Sequence, residues 1–392
     1  MILDKMLNGV PQPARNRVEA TLENVSLMLQ VKNTKVAASL APSAVRGLLL
    51  RQGKRNDAVK MPASHDVHFD LKYGLDFPEM NELYRRAVAN QWDGDKDLDW
   101  STSVDPMNPE VPIINPDFMP FDKLKEYGIK LNSKEVAEAN YDMTCWMLSQ
   151  FMHGEQGALY ASAQVTESVK WMDGKFYGAT QVMDEARHLE VFLRYLDTKM
   201  QKSYQINDNL FVIIDDLLTD SRWDIKFLGM QIMVEGLALG AFSTLHNNTK
   251  EPLLRQMLKY VIQDEARHVH YGVLALREHI LKELSDVERR EREDWAFEVA
   301  LLMRNRFMGH EVYEEKYQGL MSRRQWNRFI LESPGMQRFR NLMFKRLIPN
   351  LDYIGLLTPR VRKHYEDAGL WQFVGGKNAS QLSEKDLLAD LT

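Results

Sequence analysis

Residues 184–188 read Asp-Glu-Ala-Arg-His, and residues 264–268 repeat the same five letters. Each copy contains Glu-x-x-His, so a carboxylate and an imidazole stand three residues apart. On an α-helix, residues at i and i+3 lie on the same face, and such a pair can bind one metal ion. Two copies that face each other can bind two ions, so the repeat predicts a two-metal site between helices.

Each pentapeptide is preceded, one helix earlier, by a lone glutamate at the same distance. A two-metal carboxylate site in a four-helix bundle takes one Glu from each of two helices and a Glu-x-x-His from each of the other two. Glu155 lies 30 residues before Glu185, and Glu235 lies 30 residues before Glu265. The residues around the lone glutamates also repeat, as Glu-x-x-Ala-Leu-x-Ala. The two halves therefore have the pattern of two copies of one helical hairpin.

Both lone glutamates lie in apolar sequence, where a carboxylate is costly to bury unless it is paired or binds metal. Four glycines flank them: Gly154, Gly157, Gly236 and Gly240. Glycine inside a helix costs about 1 kcal/mol relative to alanine. Their presence indicates a requirement for close packing or for access at this level of the bundle.

The spacing of apolar residues predicts an all-α fold. From about Ser133 onward, apolar residues recur every three or four positions, and no alternating strand pattern stands out. The predicted helices span about 133–172, 175–200, 208–247 with a break near 220–223, 252–284, 285–308, 322–332, 334–347 and 358–368.

We expect five segments along the chain. They are a weakly ordered or peripheral N-terminal segment (1–60), a leader that wraps onto the bundle (61–132), the four-helix bundle (133–285), additional helices that form a cap or an interface (286–374), and a mobile tail (375–392).

Composition excludes several classes of protein. The 392 residues carry a net charge of −5 with mixed signs, which disfavours a nucleic-acid-binding protein. The single cysteine, Cys145, excludes an internal disulfide and a cysteine-based zinc or iron–sulfur site. We find no signal peptide and no 18-residue apolar stretch, so we expect no membrane span and a cytoplasmic location.

The remaining charged residues of the pentapeptides have predicted supporting roles. Asp184 and Asp264 could each accept the non-ligating ring N–H of a histidine and so fix its tautomer. Arg187 and Arg267 would then neutralise buried carboxylate.

Four carboxylates and two imidazoles form a hard, oxygen-rich donor set. Such a set suits iron or manganese more than structural zinc. Four negative charges also balance two divalent cations. A reduced iron pair can give O2 two electrons and reach a peroxo-type intermediate, which indicates oxygen chemistry.

The lone glutamates and the two pentapeptides resemble the ligand set of the ferritin-like di-iron carboxylate oxygenases. This superfamily includes multicomponent monooxygenase large subunits, CoA-ester epoxidase subunits and arylamine N-oxygenases. Leu83 through Trp92 and Asp99-Trp100 also resemble a segment of that superfamily and of ribonucleotide reductase small subunits. The resemblance implies two iron ions, or a manganese/iron pair, bound by Glu155, Glu185, His188, Glu235, Glu265 and His268.

The function implied is an O2-dependent monooxygenase that hydroxylates, epoxidises or N-oxygenates a small organic substrate. From their position we expect the substrate pocket to include Gln156, Leu159, Leu239 and Phe242. The sequence has no flavin, nicotinamide or iron–sulfur motif, so electrons should come from a separate reductase or ferredoxin. We expect a homodimer or a component of a multi-subunit oxygenase.

Two other functions stay open. A radical generator or oxidase like the ribonucleotide reductase small subunit could use Tyr160, Tyr177 or Tyr271. A non-enzymatic iron-binding or scaffolding subunit is the other alternative. His153 and His270 also lie near the motifs and could serve as additional ligands or proton relays.

Overall fold

The computed structural model describes residues 10–388, and every regular element in that range is helical. This confirms the predicted all-α fold. In chain order the helices are α1 (Gln12–Gln30), α2 (Thr34–Ala44), α3 (Pro78–Ala89), α4 (Ser133–Ser168), α5 (Met172–Tyr195), α6 (Asp208–Thr219), α7 (Trp223–Asn248), α8 (Pro252–Glu278), α9 (Asp286–Asn305), α10 (His310–Val312), α11 (Arg323–Glu332), α12 (Pro334–Tyr353), α13 (Arg362–Asp367) and α14 (Glu384–Leu388). Wider π-helical turns extend α5 over Leu196–Met200 and α8 over His279–Glu283.

Four long helices, α4, α5, α7 and α8, form the predicted bundle as two antiparallel hairpins. Only residues 169–171 connect α4 to α5, and only residues 249–251 connect α7 to α8, so each pair folds back on itself. Helix α4 packs along α5, and α7 packs along α8. The side chains of Asn132 and Glu251 cap α4 and α8 by accepting hydrogen bonds from backbone N–H groups of the first turn.

The helix break predicted near residues 220–223 separates α6 from α7. Asp220 has an extended backbone, and its carboxylate accepts a hydrogen bond from the backbone N–H of Arg222 at 2.8 Å. This local contact satisfies a donor that would otherwise bond within a helix, so the helix stops and restarts.

Helix α7 corrects our expectation that the chain has no long apolar stretch. It is long and apolar enough to cross a membrane by length and composition, but almost all of it is buried inside the protein. Its composition therefore reflects its place in the core. Residues Leu228–Val234 form a π-helical segment that ends directly before Glu235. Such a segment changes the angular register of the residues after it, and these segments are frequent at functional sites.

The N-terminal segment has more regular structure than we expected. Residues 1–9 lie outside the described range, but α1 and α2 cover most of residues 12–44. Val36 and Leu40 are buried in the main core, and Asp215 of α6 accepts hydrogen bonds from Arg46. Local sequence patterns do not predict this, because the contacts that hold these helices are with residues far away in the chain.

The C-terminal tail also differs from the mobile segment that we expected. Asn350 accepts a hydrogen bond from the backbone N–H of Ala379 at 2.8 Å, and Ser243 donates to the carbonyl oxygen of Leu387 at 3.1 Å. Leu387 itself is buried. A few anchors in a polar stretch therefore dock residues 375–388, whereas residues 389–392 lie outside the described range.

Two regions outside the hairpins cover the bundle. Helix α3 packs against α5 and α8, and the chain that follows it carries Trp92 to the bundle centre. Helix α12 packs against α7. The closest approach is at Gly240, where an added Cβ would lie 2.7 Å from Cα of Met343 and 2.8 Å from the carbonyl oxygen of Leu342. These are backbone atoms, which cannot rotate away.

We expect Gly240→Ala to lower the free energy of unfolding of the metal-free protein by about 1–3 kcal/mol, because the new methyl group overpacks the α7–α12 contact. Gly236→Ala is the matched control, since its Cβ would find its nearest neighbour, Cδ1 of Leu347, at an ordinary 3.5 Å. Urea unfolding followed by circular dichroism measures both. Equal losses of stability in the two variants would contradict this account of the packing.

Candidate metal centre

The structure brings the six predicted ligand side chains together at the centre of the bundle. Each of the four bundle helices contributes, and none of the six side chains belongs to a residue more than 4% exposed. They are Glu155 from α4, Glu185 and His188 from α5, Glu235 from α7, and Glu265 and His268 from α8.

The donor atoms form two overlapping groups, and within each group they lie within 4.8 Å of one another. One group consists of Glu155, Glu185, His188 and Glu265; the other consists of Glu185, Glu235 and His268. Glu185 belongs to both. The arrangement can therefore hold two ions that share a carboxylate.

Glu185 and Glu265 lie between the two imidazoles. Glu185 places one oxygen 3.6 Å from Nδ1 of His188 and the other 3.0 Å from Nδ1 of His268. Glu265 repeats this arrangement, with distances of 3.2 Å and 3.7 Å to the same two nitrogens. Each carboxylate thus offers one oxygen to each half of the centre, which is the disposition of a bridging ligand.

The two lone glutamates stand at the ends of the cluster, each beside one imidazole. Glu155 lies 3.3 Å from Nδ1 of His188, and Glu235 lies 3.9 Å from Nδ1 of His268. Their positions are those of terminal ligands, one for each half of the centre.

Several buried donor atoms of the cluster have no hydrogen-bond partner among residues 10–388. They are one carboxylate oxygen each of Glu185, Glu235 and Glu265, and Nδ1 of His268, which lies near Glu185 but is poorly aligned with it. Buried polar atoms normally have partners, and four buried carboxylates are costly without cations. The residues therefore fit a two-metal site.

Each imidazole is held from behind by the aspartate of the other pentapeptide. Nε2 of His188 lies 3.0 Å from Oδ2 of Asp264, and Nε2 of His268 lies 3.2 Å from Oδ2 of Asp184. A carboxylate at Nε2 assigns the proton to that nitrogen and leaves Nδ1 free to bind metal. The sequence indicated that each histidine pairs with an aspartate. That the aspartate comes from the other pentapeptide follows from the way the two hairpins face each other.

Arg187 and Arg267 neutralise these aspartates. Arg187 donates hydrogen bonds to Asp184 at 2.6 Å and to Asp264 at 3.0 Å. Arg267 donates to Asp264 and lies 3.7 Å from Asp184. Two cations and two anions thus form a neutral layer behind the imidazoles.

Sequence reasoning missed two residues that contact the cluster. Gln181 donates a hydrogen bond to Glu235 at 2.8 Å, and its position four residues before Glu185 could have revealed it. Trp92 donates from Nε1 to Asp264 at 2.8 Å, and its ring stacks on His188 with centroids 6.3 Å apart. Trp92 comes from the leader, 172 residues from Asp264, so no local spacing predicts this contact.

In the metal-free protein, the pKa values of several of these donor groups are raised. Burial raises the pKa of Glu155 and of Glu235 well above the usual range. Burial by itself would lower the pKa of His188, but its hydrogen bonds to Asp264 and Glu155 raise that pKa well above its ordinary value. The raised pKa values favour the protonated forms of these groups. Metal ions compete with those protons, so metal affinity should increase with pH.

A small cavity lies beside the cluster. Its volume is about 20 Å³, which is room for one water-sized group. Glu155, Glu235, Glu265 and Arg306 form its polar wall, and Phe151, Ala158 and Phe242 contribute to its apolar wall.

Of the four residues predicted for the substrate pocket, Phe242 lines this cavity. Gln156 does not line this cavity and is exposed, because it follows Glu155 directly and so points to another face of α4. Leu159 and Leu239 do not line the cavity either. The cavity instead uses Ala158 and Ala238, three residues after each lone glutamate.

The two extra histidines stay outside both donor groups. Nε2 of His153 lies 2.9 Å from the carbonyl oxygen of Tyr204. Burial lowers the pKa of His270, whose charged neighbours are Arg86 and Glu82.

No family model and no curated protein matches the chain. Among solved structures, the chain is similar to an R2-like ligand-binding oxidase variant with an anaerobically reconstituted Mn/Fe cofactor. The identity is 18% and the TM-score is 0.42, with 71% of this chain and 98% of that one covered. The four bundle helices and their six donors themselves give this chain the ferritin-like architecture of a di-metal carboxylate protein.

We expect the wild-type chain to bind about two Fe(II) or Mn(II) ions, and Glu185→Gln to bind about one or fewer, because both donor groups use Glu185. Metal analysis after anaerobic loading and desalting measures this. Glu190→Gln, at an exposed position on the same helix, is the control and should keep the wild-type metal content. Full metal content in Glu185→Gln would show that this carboxylate is not shared.

Proposed function

We propose that the chain is a di-metal oxygenase that uses O2 to oxidise a small organic substrate by hydroxylation, epoxidation or N-oxygenation. The observation that carries this proposal is the pair of buried donor groups that share Glu185. The donors are four carboxylates and two imidazoles, a hard set that suits iron or manganese. Two iron ions held there would supply the electrons that reduce O2.

The residues around the donors support this proposal by what they fix in place. Asp264 and Asp184 hold the Nε2 sides of His188 and His268, so both Nδ1 atoms face the carboxylates. Gln181 holds Glu235 by a hydrogen bond. Burial excludes bulk water from the cluster, which protects a reactive site from side reactions.

A separate electron donor, a reductase or a ferredoxin, is part of the proposal. Trp92 offers a route from the leader to the cluster. Its ring lies 5.1 Å from the ring of Tyr260, and its indole N–H bonds to Asp264, which in turn contacts His188. We place the protein in the cytoplasm as a homodimer or as one component of a multi-subunit oxygenase.

A single-turnover experiment tests the oxygenase proposal. We expect the reduced, iron-loaded chain to consume O2 and to show a transient absorption change within one turnover, because both donor groups are complete. Stopped-flow spectroscopy and an oxygen electrode measure this, and ¹⁸O2 with mass spectrometry of added small organic compounds measures oxygen transfer. Glu185→Gln, depleted of metal, is the control. Stable Fe(II) in the presence of O2 would contradict the proposal.

A radical-generating oxidase is the second candidate, and Tyr177 is the observation that favours it. Tyr177 lies on α5, four residues before Gln181 and eight before Glu185. It is completely buried, and none of the described residues forms a hydrogen bond with its hydroxyl group. Of the other tyrosines considered, Tyr160 is 50% exposed, and Tyr271 donates a hydrogen bond to the carbonyl oxygen of Gly174.

If the chain is an oxidase of this kind, exposure of the iron-loaded protein to O2 should produce a tyrosyl radical on Tyr177. Electron paramagnetic resonance should detect it, and Tyr177→Phe should abolish the signal. Tyr271→Phe is the matched control, because that ring lies 4.6 Å from Tyr177 and its hydroxyl group is already bonded. No radical in the wild type, together with oxygen transfer to a substrate, would exclude this candidate.

A further inference from the structure

Arg306 is a buried cation without adequate partners in the wall of the cavity beside the metal ligands. It follows the end of α9, is 3% exposed, and lines the cavity together with Glu155, Glu235 and Glu265. Within the part of the chain that the structure describes, its Nε and Nη1 atoms have no hydrogen-bond partner, and its guanidinium group lies 4.4 Å from the ring centroid of Phe307. A buried guanidinium with unused donors normally marks a site where an anion binds or an ion pair is missing.

Other buried arginines have hydrogen-bond acceptors nearby. Arg187 and Arg267 each donate to an aspartate. Arg340 and Arg346 each donate to a backbone carbonyl oxygen, of Leu331 and Asp386 respectively. Each of these four arginines also has one donor nitrogen without a partner among the described residues, whereas Arg306 has two and lies in the cavity wall.

Among the described residues, the charge that raises the pKa of Arg306 is that of Glu155, a predicted metal ligand. Burial lowers the pKa of Arg306 to about 9, so its guanidinium group is still charged at neutral pH. When two divalent ions are bound, they neutralise the four glutamates, and the aspartate–arginine layer is neutral by itself. Arg306 then keeps a positive charge that has no counter-ion at the centre.

The rest of the cavity wall indicates what kind of anion would fit. Phe151, Ala158, Val234, Ala238 and Phe242 make most of it apolar. The charged residues of the wall are three predicted metal ligands and Arg306, so with metal bound the apolar part and the one cation match an organic molecule that carries one negative group. Guanidinium forms strong, charge-assisted hydrogen bonds with carboxylate, and Nε and Nη1 of Arg306 have no partner among the described residues.

We propose that Arg306 binds the carboxylate group of the substrate, which makes the substrate class a small organic acid with an apolar body. This inference rests on the proposed oxygenase function. The cavity of about 20 Å³ admits a group of about one water's size, so the body of the acid must extend beyond it.

The body of the acid could extend from the cavity past Gly154 and Gln150. An added Cβ at Gly154, in the cavity wall, would meet open space. Gln150, also in the wall, bonds through its amide to the backbone of Gln205 and Asn207 at 3.0 and 2.7 Å. Gln205 and Asn207 line a polar cleft of about 890 Å³. Gln150 therefore links the cavity wall to two residues of the cleft.

Calorimetric titration of the full chain loaded with redox-inert Zn(II) tests the proposal, with hexanoate as the probe and hexanol as its neutral counterpart. We expect one hexanoate to bind per chain and hexanol to bind at least about tenfold more weakly. Arg306→Met should weaken hexanoate binding by about tenfold or more, and Arg306→Lys should restore part of it because it keeps the charge. Arg340→Met, at a buried arginine away from the cavity, is the matched control and should bind as the wild type does.

Three outcomes would overturn the inference: equal binding of hexanoate by Arg306→Met and the wild type, equal binding of hexanol and hexanoate, or displacement of hexanoate by chloride at the same concentration. Metal content separates this inference from the proposed function. A wild-type chain that binds two metal ions and consumes O2 with iron, but does not bind hexanoate, would contradict only the role of Arg306. A chain that does not retain metal would contradict the proposed function itself.

Discussion

Four carboxylates buried side by side create the electrostatic constraint on which the centre of this molecule depends. In an apolar bundle they repel one another and have lost their hydration, so the fold must supply positive charge. Two imidazoles supply part of it, and unpaired oxygens of Glu185, Glu235 and Glu265 leave places for metal ions. The surrounding aspartates and arginines add no net charge. The layer behind the imidazoles therefore orients the ligands without weakening their attraction for cations.

The two hairpins complete each other's half of the centre. His188 is held by Asp264, His268 is held by Asp184, and Glu185 reaches the imidazole of the opposite hairpin. Neither hairpin alone has both the ligands and their supporting partners. Docking of the hairpins and formation of the site are consequently one event, and bound metal should stabilise the bundle as a whole because it binds only the docked form.

The segments that are not repeated give this nearly symmetric centre its two different sides. The leader brings Trp92 to His188, and the chain after α9 brings Arg306 to the side of Glu155. Gln181 of α5 supports Glu235, whereas Val261 stands at the matching place in α8. The repeated core thus holds the metal ligands, while the single-copy segments decide where electrons could enter and which molecule could bind.

The repeat by itself determined a great deal. Two identical pentapeptides and two glutamates at equal distances specified the all-α bundle, its hairpins and the six donor residues, because helical spacing places such residues on one face regardless of distant contacts. The break between α6 and α7 could also be predicted from the sequence, because it depends on a local contact between Asp220 and Arg222.

Only the tertiary structure decided the exchange of aspartates between the hairpins, the contact of Trp92, the position of Arg306 and the small size of the cavity. It also showed that α1, α2 and residues 375–388 are docked onto the rest of the chain. These features depend on side chains that are far apart in sequence, and their energies come from burial and charge pairing across helices. The local periodicity of apolar residues does not predict such contacts, because the sequence around each partner looks like that of any other helix or loop.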